Sequence, residues 1–206
     1  MRHYSLETKK ILEASQAIIT NTHVIYTSGR HGDAYINKDA IYPHTDLVSK
    51  LCSFFAEHFK NSGVEVVIAP ALGGIILSQW TAWHLSQMLN KKILSLYAEK
   101  IDGENFAILR GYDSLLNNKK VLILEDVLTT GGSIKKVIEQ VKKLNGEIVG
   151  VGTLCNRGGI EAKALEVKNI FSLITLDLNS WESQDCPLCK KNIPINTQVG
   201  KGKTLK

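Results

Sequence analysis

Residues 121–133 read VLILEDVLTTGGS: four apolar residues run into two acids and then into a turn of threonine, glycine and serine. A short apolar run bounded by turn residues is a buried strand. Beyond it, Ile134, Val137, Ile138, Val141 and Leu144 share one helical face that stops at Asn145-Gly146. The stretch predicts a strand over Val121–Leu124, with Glu125 and Asp126 at its carboxyl end, then a loop and a helix. In open α/β sheets ligands bind beyond such strand ends. The loop offers backbone N–H groups, hydroxyls and a helix start, which suit a phosphate. It has neither the lysine of GxxxxGK[ST] nor the spacing of GxGxxG, which excludes a nucleoside-triphosphate loop and a dinucleotide fingerprint. Two carboxylates repel a phosphate unless they hold another part of the same ligand. A ribose 5-phosphate meets that condition: its phosphate takes the turn while its 2- and 3-hydroxyls donate to Glu125 and Asp126. The same negative charges favour positive charge developing at C1.

Outward from this unit the texture repeats. Upstream, VEVVIAPALGGIILSQWTAWHLSQML predicts a strand over Val64–Ala69, a turn at PALGG and a helix from about Ile75 to Leu89. KKILSLYAEK, EIVGVGTLC and IFSLITLDL are further strands. A helix is expected from about Leu47 to Asn61. Another is expected in SLETKKILEASQAIIT, capped by Ser5, with residues 11, 12, 14, 18 and 19 on its apolar face. Apolar strands alternating with helices imply an α/β fold: a mostly parallel sheet flanked by helices. The segment TSGRHGDAYINKDAIYPHTD, broken by glycines and charges, predicts strand fragments and loops of a cover. The expected organisation is one domain over 1–206, with a core of about 46–177 and a small hood from about 1–45 and 178–206.

Composition narrows the function classes. With 206 residues, 44% of them hydrophobic, the chain can bury a full core without staples. Its net charge of +5 suits an anionic small molecule and falls short of a nucleic-acid footprint. No stretch reaches the length of a membrane span, and MRHYSLETKK lacks the apolar region of a signal peptide, so a cytoplasmic protein is expected. The tail KGKTLK, beside Gly200 and Gly202, reads as a frayed, solvated end.

Apolar strand, acid pair, TTGG and helix together resemble the phosphoribosyl pyrophosphate motif of the type I phosphoribosyltransferases. SGRHGDAYINKDAIYP, PALGGIILSQ, AEK…ILRGY, NRGG and CPLCKKNIPINTQVGKG are similar, in order, to segments of the orotate phosphoribosyltransferases and span most of residues 28–202. The resemblance implies transfer of ribose 5-phosphate from phosphoribosyl pyrophosphate to orotate in pyrimidine (UMP) synthesis. Magnesium would be held mainly by the pyrophosphate, in a homodimer with shared active sites. It assigns Glu125, Asp126, Val127, Leu128, Thr129, Thr130, Gly131, Gly132 and Ser133 to phosphoribosyl pyrophosphate, with Ala71, Leu72 and Gly73 on the pyrophosphate. Lys100, from a mobile loop, would reach the pyrophosphate in the partner subunit, and Thr129 and Arg157 would hold orotate. A guanidinium grips orotate's carboxylate with two hydrogen bonds. Thr27 and Gly73 stand where many bacterial members carry lysines, and Arg30, Lys38 and Arg110 are candidates to compensate. A transferase for a purine or uracil and a phosphoribosyl-pyrophosphate-sensing regulator remain alternatives.

The residues left over are assigned no chemistry. Cys52 and Cys155 sit in apolar segments and read as buried small hydrophobes. CPLC offers Cys186 and Cys189, two of the four ligands zinc takes, but no second pair or paired histidines follow it. A local turn is expected there and no metal site; His31 and His44 are read as exposed or structural.

Overall fold

The structure is a computed structural model that describes residues 2–26, 28–103, 105–176 and 178–205, of which Arg2 and Leu205 are described in backbone only. In chain order its elements are α1 (Arg2–Ala14), β1 (Ile18–Ile19), β2 (Val24–Ile25), β3 (His31–Gly32), β4 (Tyr35–Ile36), α2 (Thr45–Phe59), β5 (Val66–Pro70) and α3 (Gly73–Leu89). Then follow β6 (Leu94–Ile101), β7 (Asn105–Ala107), β8 (Lys120–Leu128), α4 (Gly132–Lys143), β9 (Glu147–Asn156), α5 (Ala162–Leu165), β10 (Ile170–Thr175) and α6 (Pro187–Lys190). They group into two compact units, residues 1–8 with 44–176 and residues 9–43 with 177–206.

The larger unit is built on the sheet β10-β9-β8-β5-β6-β7, parallel throughout except for the antiparallel β6–β7 pair. Because both faces of a parallel sheet are covered, β5 is buried along its whole length and β8 along most of its own. Val121 and Ile123 join Ile134, Val137, Ile138 and Val141 of α4 in one buried cluster. Leu124 lies on the other side with Phe55 of α2, where Gly152 has no room for a Cβ between them. Residues 1–8 group here because Tyr4 packs against Phe54 and Phe171, at ring separations of 5.1 and 5.8 Å.

Several local expectations change. Ser5 lies inside α1, which begins at Arg2. That helix also stops early: Gln16 takes a left-handed conformation (φ 53°), and Ala17 N–H donates to Leu12 O at 2.8 Å. Ile18 and Ile19 therefore leave the helix and pair with Ile36 and Tyr35 of β4.

In the smaller unit, β2 and β3 form a hairpin, Val24 opposite Gly32 and Ile25 opposite His31. The C-terminal segment 200–205 is a 3-10 helix, not a frayed tail. Val199 is buried with Val24 and Tyr26. A Cβ on Gly200 would meet Ile25 O at 2.4 Å and one on Gly202 would meet Asn196 O at 2.1 Å, so both glycines allow backbones to touch. Cys186 and Cys189 also differ from expectation: two histidines from the β2–β3 hairpin, His23 and His31, lie beside them.

Candidate functional site

In the parallel sheet β5, β6, β8 and β9 all end on one side. The chain goes from β5 outward to β6, then returns to place β8 on the opposite flank of β5. This reversal is a topological switch point, the position at which adjacent loops diverge and leave a crevice. Its two loops are Ala71–Leu72, after β5, and Thr129–Gly131, after β8.

Strand β8 runs four residues beyond the expected Leu124, because its parallel ladder with β9 persists to Leu128 opposite Asn156. Glu125 and Asp126 are thus strand residues, only 7% and 9% exposed, rather than acids on an open rim. Local backbone bonds orient both. Asp126 N–H donates to Glu125 Oε1 at 3.2 Å, and Val127 N–H to Asp126 Oδ1 at 2.6 Å. Carboxylates buried in this way are strong acceptors for hydroxyl donors.

The loop after β8 turns into α4 through Gly131, which caps the helix with φ 78°. A Cβ there would be left-handed and would also meet Leu165 Cδ2 at 2.8 Å, so glycine answers to two constraints at once. Gly132 N–H faces Thr130 Oγ1 at 3.4 Å, and Thr130, Gly132 and Ser133 are exposed. Backbone amides at the start of a helix without intrahelical partners, with hydroxyls beside them, form a cradle for an anion.

Arg157 enters from β9. Its N–H donates to Leu128 O at 2.8 Å, and Gly158 N–H reaches the same carbonyl at 3.2 Å. The turn packs so closely that a Cβ on Gly158 would sit 1.7 Å from Thr129 O. Asn156, which sequence reasoning missed, closes this turn. Its Nδ2 donates to Ile160 O at 2.9 Å and its Oδ1 accepts from Ile160 N–H at 3.0 Å. An asparagine at a strand end just before Arg-Gly-Gly was the available signal.

On the β5 side, Ala71 N–H donates to Ala98 O at 2.8 Å, the Ala71–Leu72 peptide is cis, and Leu72 is 83% exposed. Helix α3 begins at Gly73, two residues before the expected Ile75, and Gly74 abuts Ala69. Lys100 is exposed but lies on a strand, opposite Phe106, rather than in a loop. The turn of this hairpin contains Asp102 and Gly103 in left-handed conformations.

Of the compensating candidates, Arg110 binds Glu99 through Nε at 2.6 Å, which holds the Glu99 carboxyl below its ordinary pKa. Arg30 pairs with Glu182 and Ser180 within the smaller unit, and Lys38 lies 3.9 Å from Asp39. Thr27 lies outside the described residues. Burial pushes the thiols of Cys52 and Cys155 up to about 12, so neither is a nucleophile near neutral pH.

A family profile described as the phosphoribosyl transferase domain matches residues 37–188. The orotate phosphoribosyltransferase of Caldanaerobacter subterraneus subsp. tengcongensis is 35% identical over 192 residues, covering 92% of this chain and 96% of that one. Among solved structures, the orotate phosphoribosyltransferase of Mycobacterium tuberculosis H37Rv superposes with a TM-score of 0.62 at 20% identity, covering 82% of this chain and 97% of that one. Adenine phosphoribosyltransferase from Saccharomyces cerevisiae gives 0.64 at 17% identity, covering 84% of this chain and all of that one. The shared fold therefore does not choose the base, whereas sequence identity along nearly the whole relative does carry the branch. This chain belongs to the phosphoribosyltransferase family, on the orotate phosphoribosyltransferase branch that its motifs resemble.

Proposed function

We infer that this protein is an orotate phosphoribosyltransferase, transferring ribose 5-phosphate from phosphoribosyl pyrophosphate to orotate to give orotidine 5-phosphate and pyrophosphate. The observation that carries the site assignment is the pair of backbone bonds from Arg157 and Gly158 to Leu128 O, which hold a guanidinium-bearing turn against the Thr129 loop. Orotate has a carboxylate for Arg157; purines and uracil have none.

In this reading Glu125 and Asp126 accept from the 2- and 3-hydroxyls of the ribose, and Thr129–Ser133 hold the 5-phosphate through amides and hydroxyls. Ala71, Leu72 and Gly73 support the pyrophosphate through backbone, and Thr129 and Arg157 orient orotate. A ring nitrogen of orotate bonds to C1 and gives up its proton to solvent as the bond from C1 to the pyrophosphate oxygen breaks. The buried carboxylates stabilise the positive charge that develops there. Lys100 neutralises the departing pyrophosphate of the neighbouring subunit in a homodimer. The enzyme works in the cytoplasm; among the described residues no helix is long and apolar enough to cross a membrane.

Magnesium fits the donor set. Glu125 and Asp126 supply hard oxygens, which suit this ion. Among the described residues no cluster of three or more carboxylates forms a cage of its own, so substrate pyrophosphate oxygens would be the main ligands. The ion would supply charge neutralisation on the leaving group.

The test is a panel of orotate, uracil, hypoxanthine and adenine, each with phosphoribosyl pyrophosphate and magnesium, read as pyrophosphate release. Orotate alone should turn over, and chelation of magnesium should abolish the rate. Turnover of a purine without orotate would overturn the assignment.

A further inference from the structure

His23, His31, Cys186 and Cys189 come together within the smaller unit, with their ligand atoms all within 4.8 Å of one another. His23 directly precedes β2, and His31 opens β3 across the hairpin. Cys186 precedes α6 and Cys189 lies on it, so one helical turn brings both sulfurs to the same side. The backbone fixes the two halves against each other: His31 and Trp181 exchange N–H···O bonds of 2.8 and 2.9 Å, and Asn196 N–H donates to His23 O at 2.7 Å. Three of the four residues are buried.

The distances discriminate between a loose polar cluster and a coordination sphere. Tetrahedral zinc, with Zn–S of about 2.3 Å and Zn–N of about 2.0–2.1 Å, separates sulfur from nitrogen by about 3.6 Å and two nitrogens by about 3.3 Å. Here Cys186 Sγ lies 3.6 Å and Cys189 Sγ 3.7 Å from His23 Nε2, and Cys189 Sγ lies 3.4 Å from His31 Nδ1. His23 Nε2 and His31 Nδ1 are 2.8 Å apart, a hydrogen-bond length that must open by about half an ångström for both to bind one ion. His23 is already oriented: its Nδ1–H donates to Ile193 O at 2.7 Å, which leaves Nε2 bare and aimed at the cluster. This is the outer hydrogen bond that metal-bound imidazoles make to fix their tautomer.

We propose that His23 Nε2, His31 Nδ1, Cys186 Sγ and Cys189 Sγ bind one zinc ion in a closed, structural Cys2His2 site. Two thiolates and two imidazoles in a tetrahedral array select zinc over magnesium or calcium, which take oxygen. With all four positions filled by protein the ion has no open place for a substrate. Binding releases the two thiol protons to solvent and leaves His31 protonated on Nε2. The ion's role follows from the unit it sits in, two chain stretches, 9–43 and 177–206, far apart in sequence. Units this small gain much of their stability from metals or disulfides. A zinc bridge from the β2–β3 hairpin to the Cys186–Cys189 turn ties the two stretches together.

Full-length protein from zinc-supplemented cells, purified under reducing conditions, should contain one zinc per chain by elemental analysis. The double variant Cys186→Ser with Cys189→Ser should contain almost none. Because that variant could misfold, the deciding measurement uses the wild-type chain. After zinc is removed anaerobically, added Co2+ should saturate at one per chain, with the intense visible absorption of tetrahedral cobalt and a thiolate charge-transfer band, and Zn2+ should bleach both. Substoichiometric zinc together with no tetrahedral Co2+ spectrum would overturn the proposal. Recovery of a Cys186–Cys189 disulfide from the reduced preparation would do the same.

Discussion

Arg157, proposed to hold orotate, stands in a turn whose backbone N–H groups are tied to Leu128 O. Because those bonds are made by backbone, truncating the side chain should leave them in place while removing the proposed contact to orotate. Arg157→Ala is expected to raise KM for orotate by roughly 10- to 150-fold, the equivalent of about 1.5–3 kcal/mol for hydrogen bonds to a charged group. KM for phosphoribosyl pyrophosphate should change little in the same steady-state assays, and equal rises in both constants would remove Arg157 from orotate binding. The strand–loop–helix unit that carries the candidate residues was legible in the sequence, from its apolar run, its glycine turn and the helical periodicity after it. The burial of Glu125 and Asp126 was not. It depends on how far β9 continues alongside β8, and nothing within VLILEDVLTTGGS encodes the length of its neighbour. Asn156 was missed for a related reason: its partners at Ile160 become visible only once the turn is closed.

At the scale of elements, the β8 loop and the β9 turn are in backbone contact. Gly158→Ala would place a methyl 1.7 Å from Thr129 O, so the two segments must separate. We expect a loss of about 1–3 kcal/mol of stability, read in denaturant unfolding, with weaker binding of both substrates. Gly159 is the control. It has φ 60° and open space around it, so Gly159→Ala incurs only the left-handed conformational penalty, about 1 kcal/mol. A second element-scale expectation concerns α2, where His58 stacks on Phe171 of β10 with ring centroids 3.7 Å apart. Burial lowers the His58 pKa from 6.5. The folded state thus binds its proton less readily than the unfolded state does. The stability tied to a neutral ring is complete above pH 6.5 and is lost as pH falls from there towards the folded value. His84 shifts the same way, again through burial. His58→Phe should keep the stack and flatten part of the decline in unfolding midpoint between neutral and mildly acidic pH. An unchanged slope would show that His58 does not titrate in that window. The helices α2, α3 and α4 were legible to within about two residues at each end from their apolar periodicity. The α1 boundary was not, since Ile18 and Ile19 continue the helical pattern of SLETKKILEASQAIIT until a left-handed Gln16 interrupts it.

For the whole molecule, the proposed dimer makes a quantitative expectation. Lys100 and Asp126 would belong to different halves of one composite site, so Lys100→Ala and Asp126→Asn should each be nearly inactive alone. When equal amounts are unfolded and refolded together, about half the dimers are mixed, each with one intact site, and activity should return to about a quarter of wild type. If differently tagged mixed dimers form and no activity returns, Lys100 does not act across subunits. The sequence by itself determined the α/β class, the strand–loop–helix unit with its phosphate-suited turn, and the family, because each rests on spacings of two to four residues or on ordered motifs read along the chain. Only the tertiary structure decided the order β10-β9-β8-β5-β6-β7, which brings the Ala71 and Thr129 loops to a common switch point. It alone brought His23 and His31 to Cys186 and Cys189, more than 150 residues away. The physical reason is the same in both cases. Local patterning selects which face of an element is apolar, whereas which elements become neighbours depends on burying those faces against one another, and that choice is made by the folded chain as a whole.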